Sequence, residues 1–165
     1  MSKKKIIFVT STRADYGKLK SIILKLQKDK KMIVKVFVTG THNMNLYAKT
    51  ILELKKDKIK NLNIFKNQGL STSMSKILIN TIRGFSNYIE KEKPTLVVLH
   101  GDRVEPLACA ISSLLLNIKI AHVEGGEVSG TVDEMLRHAI SKLSHIHFVS
   151  NKIAKNRLLQ MGEDK

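Results

Sequence analysis

Short apolar runs alternate along the chain with longer stretches in which apolar residues recur every three or four positions. KIIFVT, residues 5–10, is bounded by polar residues, and Leu19, Ile22, Ile23 and Leu26 follow at helical spacing, so a strand and then a helix are predicted. In MIVKVFVTG, residues 32–40, Met32, Val34, Val36 and Val38 alternate as a strand requires. Tyr47, Ile51 and Leu54 continue as a helix, and NLNIF, 61–65, as a short strand. Met74, Ile77, Leu78, Ile82, Phe85 and Ile89 outline a long amphipathic helix closed by Pro94, and TLVVLH, 95–100, is a continuous apolar strand of the kind buried on both faces. A helix over 104–117, the strand KIAHV at 119–123, a helix over 133–144, the strand HIHFVS at 145–150 and a last helix over 151–161 complete six βα units. This alternation predicts an α/β fold: a Rossmann-like parallel sheet with right-handed crossovers and helices on both faces. No Gly-Ser linker or repeat divides residues 1–165, so one domain is expected.

In such sheets ligands bind beyond the carboxyl ends of the strands. The predicted strand ends there carry TSTRADYGK, TGTH, HGDR, EGGEVSG and SN, whereas the opposite edge carries lysine-rich connections such as QKDKK and EKEKP. Charge, glycine and histidine are therefore segregated to the edge where a ligand is expected.

Composition narrows the classes. The formal net charge is +15, from 29 Lys and Arg against 14 acids. Most of the excess is lysine scattered along helices (Lys25, Lys28, Lys30, Lys55, Lys56, Lys58) without interleaved aromatics, and arginine, the better reader of bases and phosphates, occurs five times. No nucleic-acid partner is expected. No run approaches the ~18 apolar residues that span a bilayer, and the N-terminus lacks a signal-peptide apolar block, so no membrane partner and a cytoplasmic location are expected. Cys109, the one cysteine, lies in the apolar run LACAISSLLL and reads as a buried, inert thiol.

Four clusters carry candidate chemistry. Arg13 and Lys18 straddle the start of the first helix, whose free N–H groups favour an anion, and phosphate binding is the natural inference; the alternative is a pair of capping and surface charges. Neither the dinucleotide fingerprint nor the P-loop is present, which leaves a sugar-nucleotide diphosphate possible. Asp102, with Arg103 beside it, ends an apolar strand, where a carboxylate is costly unless paired or used; it either caps the next helix or does proton chemistry. AHVEGGEVSGTVDE places Glu124, Glu127, Asp133 and Glu134 in or just after a loop too rich in glycine and serine to build a core. If Asp102 and Glu124 leave neighbouring strands and Asp133 or Glu134 folds back, three carboxyls surround one cleft, where like charges push pKa values upward and apart. Alternatively Asp133 caps its helix and Glu127 is solvated. The six histidines (His42, His100, His122, His138, His145, His147) lack any readable metal-ligand spacing, so no metal is expected; they read as strand-edge hydrogen-bonding groups, with His42 the best candidate to touch a substrate.

Taken in order, STRADYGKL, TGTH, LHGDRVEPLA, AHVEGGEVSGTVDEMLRHAISKLSHIHFVSN and RLLQMGE resemble the hydrolysing UDP-N-acetylglucosamine 2-epimerases, particularly the bacterial sialic-acid and legionaminic-acid branch. The resemblance implies the first of two Rossmann-like domains in a glycosyltransferase-B architecture, with the active site between them. It implies elimination of UDP to a 2-acetamidoglucal, then hydration to N-acetylmannosamine, with no cofactor and a homo-oligomeric full-length enzyme. By the same resemblance Asp102, Glu124 and Asp133 match catalytic carboxylates; Arg13, Lys18 and Arg103 match residues around the diphosphate; and Arg137 lies where a further basic contact is expected. His42, His100, His122, His145 and His147 match family histidines. The second domain supplies a histidine and most uridine contacts, so residues 1–165 alone are expected to have little or no epimerase activity. The runner-up is the first domain of a glycosyltransferase of the same architecture, and the sugar is either N-acetylglucosamine or a 2,4-diacetamido-6-deoxy analogue.

Overall fold

The computed structural model describes residues 3–43 and 50–164. Six parallel strands, β1 (Lys4–Thr10), β2 (Met32–Val38), β3 (Leu62–Ile64), β4 (Leu96–His100), β5 (Lys119–Val123) and β6 (Ile146–Phe148), form one sheet in the order β3-β2-β1-β4-β5-β6. The helices are α1 (Arg13–Leu26), α2 (Ile51–Lys56), α3 (Met74–Glu92), α4 (Val104–Leu115), α5 (Val132–Lys142) and α6 (Lys152–Gln160), with a 3-10 turn at Gly40–Asn43. The chain is an α/β, Rossmann-like fold.

Alternation along the strands divides the core in two. Ile6, Phe8, Val34, Val36, Val38 and Val98 point to one face, where Tyr16, Leu19 and Ile23 of α1 and Ile51 and Leu54 of α2 cover them. Ile7, Val9, Phe37, Val97, Leu99 and Ile120 point to the other, against Phe85 and Ile89 of α3, Cys109 and Ala110 of α4 and Ile140 of α5. Central strands buried on both faces have no polar side to show, which is why TLVVLH reads as unbroken apolar sequence. Cys109 is fully buried, and burial pushes its thiol pKa well up.

Several boundaries differ from those the pattern predicts. α4 stops at Leu115 rather than 117 because Asn117 takes a left-handed conformation (φ 56°) and the Ile118 N–H returns to the Ser113 carbonyl, 2.9 Å away. α3 also ends on a left-handed residue, Lys93 (φ 49°), directly before Pro94, where the sequence pattern closes it. β6 is three residues rather than six, and its Ile146 and Phe148 remain exposed, as suits a short edge strand. Of the residues assigned to the second helix, Ile51 and Leu54 lie in α2, whereas Tyr47 lies outside the described residues.

Phe37 ties β2 to α3 through ring contacts with Phe85 at 4.9 Å and Tyr88 at 5.3 Å, and to the residue after β3 through Phe65 at 5.8 Å. Replacing Phe37 by alanine is expected to cost about 3–5 kcal/mol, read as a lower urea midpoint at unchanged slope.

Candidate active site

Strand order reverses about β1 and β4, and their carboxyl ends diverge there. A cavity of about 280 Å³ opens at this point. Thr12 and the first turn of α1, with Ala14 and Asp15, line one side; His100 at the end of β4 and the turn residues Gly101, Asp102 and Arg103 line another; and the third carries Glu124 and Glu127 of the loop after β5 with Asp133 and Arg137 of α5. Its volume falls just below the ~300–1,000 Å³ usual for ligand pockets, enough for a sugar ring rather than a whole nucleotide sugar.

Local chemistry sets the first turn. The Thr12 hydroxyl caps α1 by accepting from the Asp15 N–H (3.3 Å), and the Asp15 carboxylate returns to the Thr12 N–H (2.9 Å). The same carboxylate oxygen accepts from the Ser11 N–H (3.0 Å) and hydroxyl (2.6 Å). Asp15 is buried, and its other oxygen lies 3.2 Å from Nδ1 of His100. Burial pushes its carboxyl up, but hydrogen bonds from His100 and Ser11 outweigh it and leave the pKa below the usual value.

The loop after β5 is fixed by packing. A Cβ on Gly126 (φ +79°) would lie 2.5 Å from the Ala154 carbonyl of α6, and one on Gly125 2.7 Å from the Ser141 hydroxyl, so positions 125 and 126 fit only without side chains. Glu124 precedes them in the left-handed region (φ +63°), its N–H bonded to the Phe148 carbonyl at 2.8 Å. One carboxylate oxygen accepts from Lys18 Nζ (2.7 Å), and the other lies 3.0 Å from Nε2 of His100. Here too burial raises the pKa, and the Lys18 hydrogen bond and the His100 charge bring it below the ordinary carboxylate range. His100 faces a carboxylate at each ring nitrogen; although its burial disfavours the charge, the bonds to Asp15 and Glu124 raise its pKa.

Arg137 joins two turns. Its guanidinium pairs with Asp102 and donates to the Glu127 carbonyl (2.9 Å). Asp102 thus faces α5 and does not cap α4, whose start at Arg103 has no side-chain cap. Asp133, in the first turn of α5, lines the cavity with no hydrogen-bond or ion-pair partner among the described residues. Glu134 instead folds back onto the Ser129 and Gly130 N–H groups (2.9 and 2.7 Å), which hold its carboxyl below the usual value.

The structure therefore brings Asp102, Glu124, Asp133, Arg103 and Arg137 to one cavity, with Lys18 reaching its rim through Glu124. Arg103 also faces Glu105 at 3.5 Å. Arg13 does not join them: it is exposed and pairs with Glu53 at 2.9 Å. Neither does His42, which is buried between the Thr10 and Thr50 hydroxyls at 2.8 and 2.7 Å. His145 accepts from the Ile120 N–H, and His147 faces Glu163 at 3.1 Å, both away from the cavity. Sequence reasoning missed Asp15. The spacing of Thr12 and Asp15 is readable as a capping box, but that signal announces a helix start and says nothing of a histidine 85 positions on.

Comparison with known proteins gives a consistent result. Residues 24–165 match the model of the family described as UDP-N-acetylglucosamine 2-epimerase. Over 97% of its length the chain is 45% identical to UDP-N,N'-diacetylbacillosamine 2-epimerase (hydrolyzing) of Legionella pneumophila, and over 98% it is 42% identical to UDP-N-acetylglucosamine 2-epimerase of Neisseria meningitidis. It spans 43% of the length of each. Among solved structures, UDP-GlcNAc 2-epimerase from Neisseria meningitidis bound to UDP-GlcNAc superposes with a TM-score of 0.87 at 27% identity, over 97% of this chain and 43% of that one.

Two further histidines make stability depend on pH. Burial lowers the pKa of His42 and of His122 to about 4. His122 is neutral, donating from Nε2 to the Gly101 carbonyl (2.7 Å) and accepting at Nδ1 from the Ser141 hydroxyl (3.1 Å). An unfolded chain takes up these protons near pH ~6.5, whereas the folded one resists until about pH 4, so acidification through this window favours unfolding. His100 acts in the opposite sense: its raised pKa stabilises below ~6.5 and loses that contribution as pH climbs through the folded value. In urea denaturation at a series of pH values, His122→Gln is expected to flatten the fall in stability between neutrality and pH 4.

Proposed function

This chain belongs to the UDP-N-acetylglucosamine 2-epimerase family, and from that premise we propose that its cavity is the catalytic half-cleft of a hydrolysing UDP-sugar 2-epimerase. The observation that carries the reading is the convergence of Asp102, Glu124 and Asp133, from two different βα turns and the first turn of a helix, on one cavity at the switch point of the sheet. In this reading the substrate is UDP-N-acetylglucosamine. A carboxylate takes the proton from carbon 2, the anomeric C–O bond breaks, and UDP leaves with the bonding pair, giving a 2-acetamidoglucal. Water then adds across the double bond, hydroxyl to carbon 1 and proton to the opposite face of carbon 2, which releases N-acetylmannosamine. Carbon 2 is a weak acid, so C–O cleavage runs ahead of proton removal, and cations that neutralise the departing diphosphate stabilise the transition state most.

Arg103 and Arg137 flank the acids, and Lys18 stands at the rim. Arg13 joins the diphosphate group once released from Glu53, an exchange that costs little because exposed ion pairs contribute only ~0–1 kcal/mol. In this reading His42 supports the turn from within rather than touching the sugar. The relatives' names support a UDP-linked 2-acetamido sugar and leave two forms to distinguish, N-acetylglucosamine and its 2,4-diacetamido-6-deoxy analogue. The proposed setting is cytoplasmic synthesis of a nonulosonic acid such as sialic or legionaminic acid, with the remaining uridine contacts made by a second domain and the working enzyme a homo-oligomer. No helix among the described residues is long and apolar enough to cross a membrane.

Product analysis on both UDP sugars tests the proposal in an enzyme of the relatives' length carrying these residues. Free 2-epimerised sugar appearing with UDP is expected, with deuterium at carbon 2 when the solvent is D2O. Transfer of the sugar to an added acceptor would indicate a glycosyltransferase and end the proposal. Asp102→Asn and Glu124→Gln are each expected to lower kcat by about 10²- to 10⁴-fold, the range for losing a group that moves a proton in the transition state.

A further inference from the structure

The cavity contains a line of contacts that the proposed chemistry does not itself require. Asp15, held at one oxygen by Ser11 and Thr12, faces Nδ1 of His100 with the other, and Nε2 of His100 faces Glu124. Each ring nitrogen lies within 3.2 Å of a carboxylate oxygen, and an ionised carboxylate accepts and cannot donate, so serving both requires a hydrogen on each nitrogen, an imidazolium. With both ends fixed, the ring cannot flip or give up a proton without breaking a charge-assisted bond. Glu124 leaves β5 on a left-handed residue, in a loop pinned at Gly125 and Gly126, so its backbone position is set and the direction of its carboxylate is left to its partners. One partner, Lys18, is an exposed chain at the surface; the other, His100, is buried and held at its far nitrogen by Asp15.

We propose that Asp15 is a positioning residue for the reaction, clamping His100 so that its Nε2–H aims the Glu124 carboxylate into the cavity. This rests on the epimerase reading of the site, which it deepens. The charged groups around His100 agree with such a clamp. Asp15 and Lys18 approach from α1. Glu124 and neutral His122 approach from β5 and its loop, and His122 is tied to the Gly101 carbonyl rather than to His100. From its own turn and α5, Asp102 and Arg137 neutralise each other, Arg103 faces Glu105, and Asp133 stands across the cavity. Asp15 is thus the fixed anion on the inner side of the ring.

Two measurements test this. In an enzyme of the relatives' length carrying these residues, Asp15→Asn is expected to lower kcat about 10- to 100-fold with KM for the UDP sugar little changed, as for a misplaced catalytic group. The alkaline limb of the kcat–pH profile should move to lower pH, because His100 gives up its proton more easily without the inner anion. Asp15→Glu, which restores the charge, should return the limb towards its original position. Glu163→Gln, which removes the carboxylate facing His147 outside the cavity, should leave the profile unchanged. A loss of kcat in Asp15→Asn with the limb in place would mean a capping role only and would overturn the proposal.

The second measurement is nitrogen NMR of the His100 ring in the unsubstituted chain, which needs neither a folded variant nor turnover. Two protonated ring nitrogens near neutral pH are expected, and a neutral ring would overturn the clamp. Absence of 2-epimerase turnover with either sugar would count against the function proposed above, while the ring measurement would still decide the clamp.

Discussion

The cavity depends on one topological constraint. A parallel sheet of order β3-β2-β1-β4-β5-β6 sends the chain outward from β1 in one direction and, after crossing back to β4, in the other. The turns that follow β1 and β4 therefore cannot pack against each other as neighbouring turns elsewhere do, and a crevice remains between them. Its flanks inherit the helix starts of α1 and α4, which brings a capped carboxylate, Asp15, within hydrogen-bond distance of the histidine that ends β4. The loop after β5 then closes the third side, held by glycines that leave no gap against α5 and α6.

Acid concentrates at this crevice in a chain of net charge +15 because the cations beside it are arranged to hold it. Arg137 pairs with Asp102, Lys18 with Glu124, and His100 lies between Asp15 and Glu124. Buried or half-buried carboxylates are costly alone and tolerable when each meets a cation with good geometry. The Asp102–Arg137 and Glu124–Lys18 contacts also join different elements, so they brace the walls of the cavity. Asp133 is the exception, with no ion-pair partner among the described residues, in the first turn of α5, where the helix dipole already favours a negative charge.

Much of the fold was legible because its strongest signal is physical. Strands buried on both faces must be apolar without interruption, and the helices that cover them must be apolar on one stripe, so TLVVLH and the Met74-to-Ile89 pattern could be read directly. Helix ends were unevenly legible: Pro94 marks the end of α3, whereas the left-handed stop of α4 at Asn117 uses a residue other than glycine and was read two residues late. The shortness of β6 reflects how few neighbours an edge strand has, a property of the sheet and not of HIHFVS. At the site, residue type pointed to Asp102, Glu124 and one of Asp133 and Glu134, with helix capping as the alternative use for Asp102 and Asp133, and the family resemblance selected Asp133. Direction could not be read. Arg13 turns to Glu53 and His42 turns inward to two threonines, outcomes set by neighbours distant in sequence. Asp15 escaped notice because one side chain serves both a local cap and a long-range contact, and only the local use leaves a mark in the sequence.

The conformation of Glu124 has a consequence for how such a chain evolves. A left-handed backbone at a residue with a Cβ costs about 1–2 kcal/mol, and glycine would occupy the same place without that penalty. Glycine there would relieve the backbone and give up the contacts to Lys18 and His100 together with the carboxylate that lines the cavity. Position 124 is thus a point where gains in robustness and retention of chemistry oppose each other within a single codon.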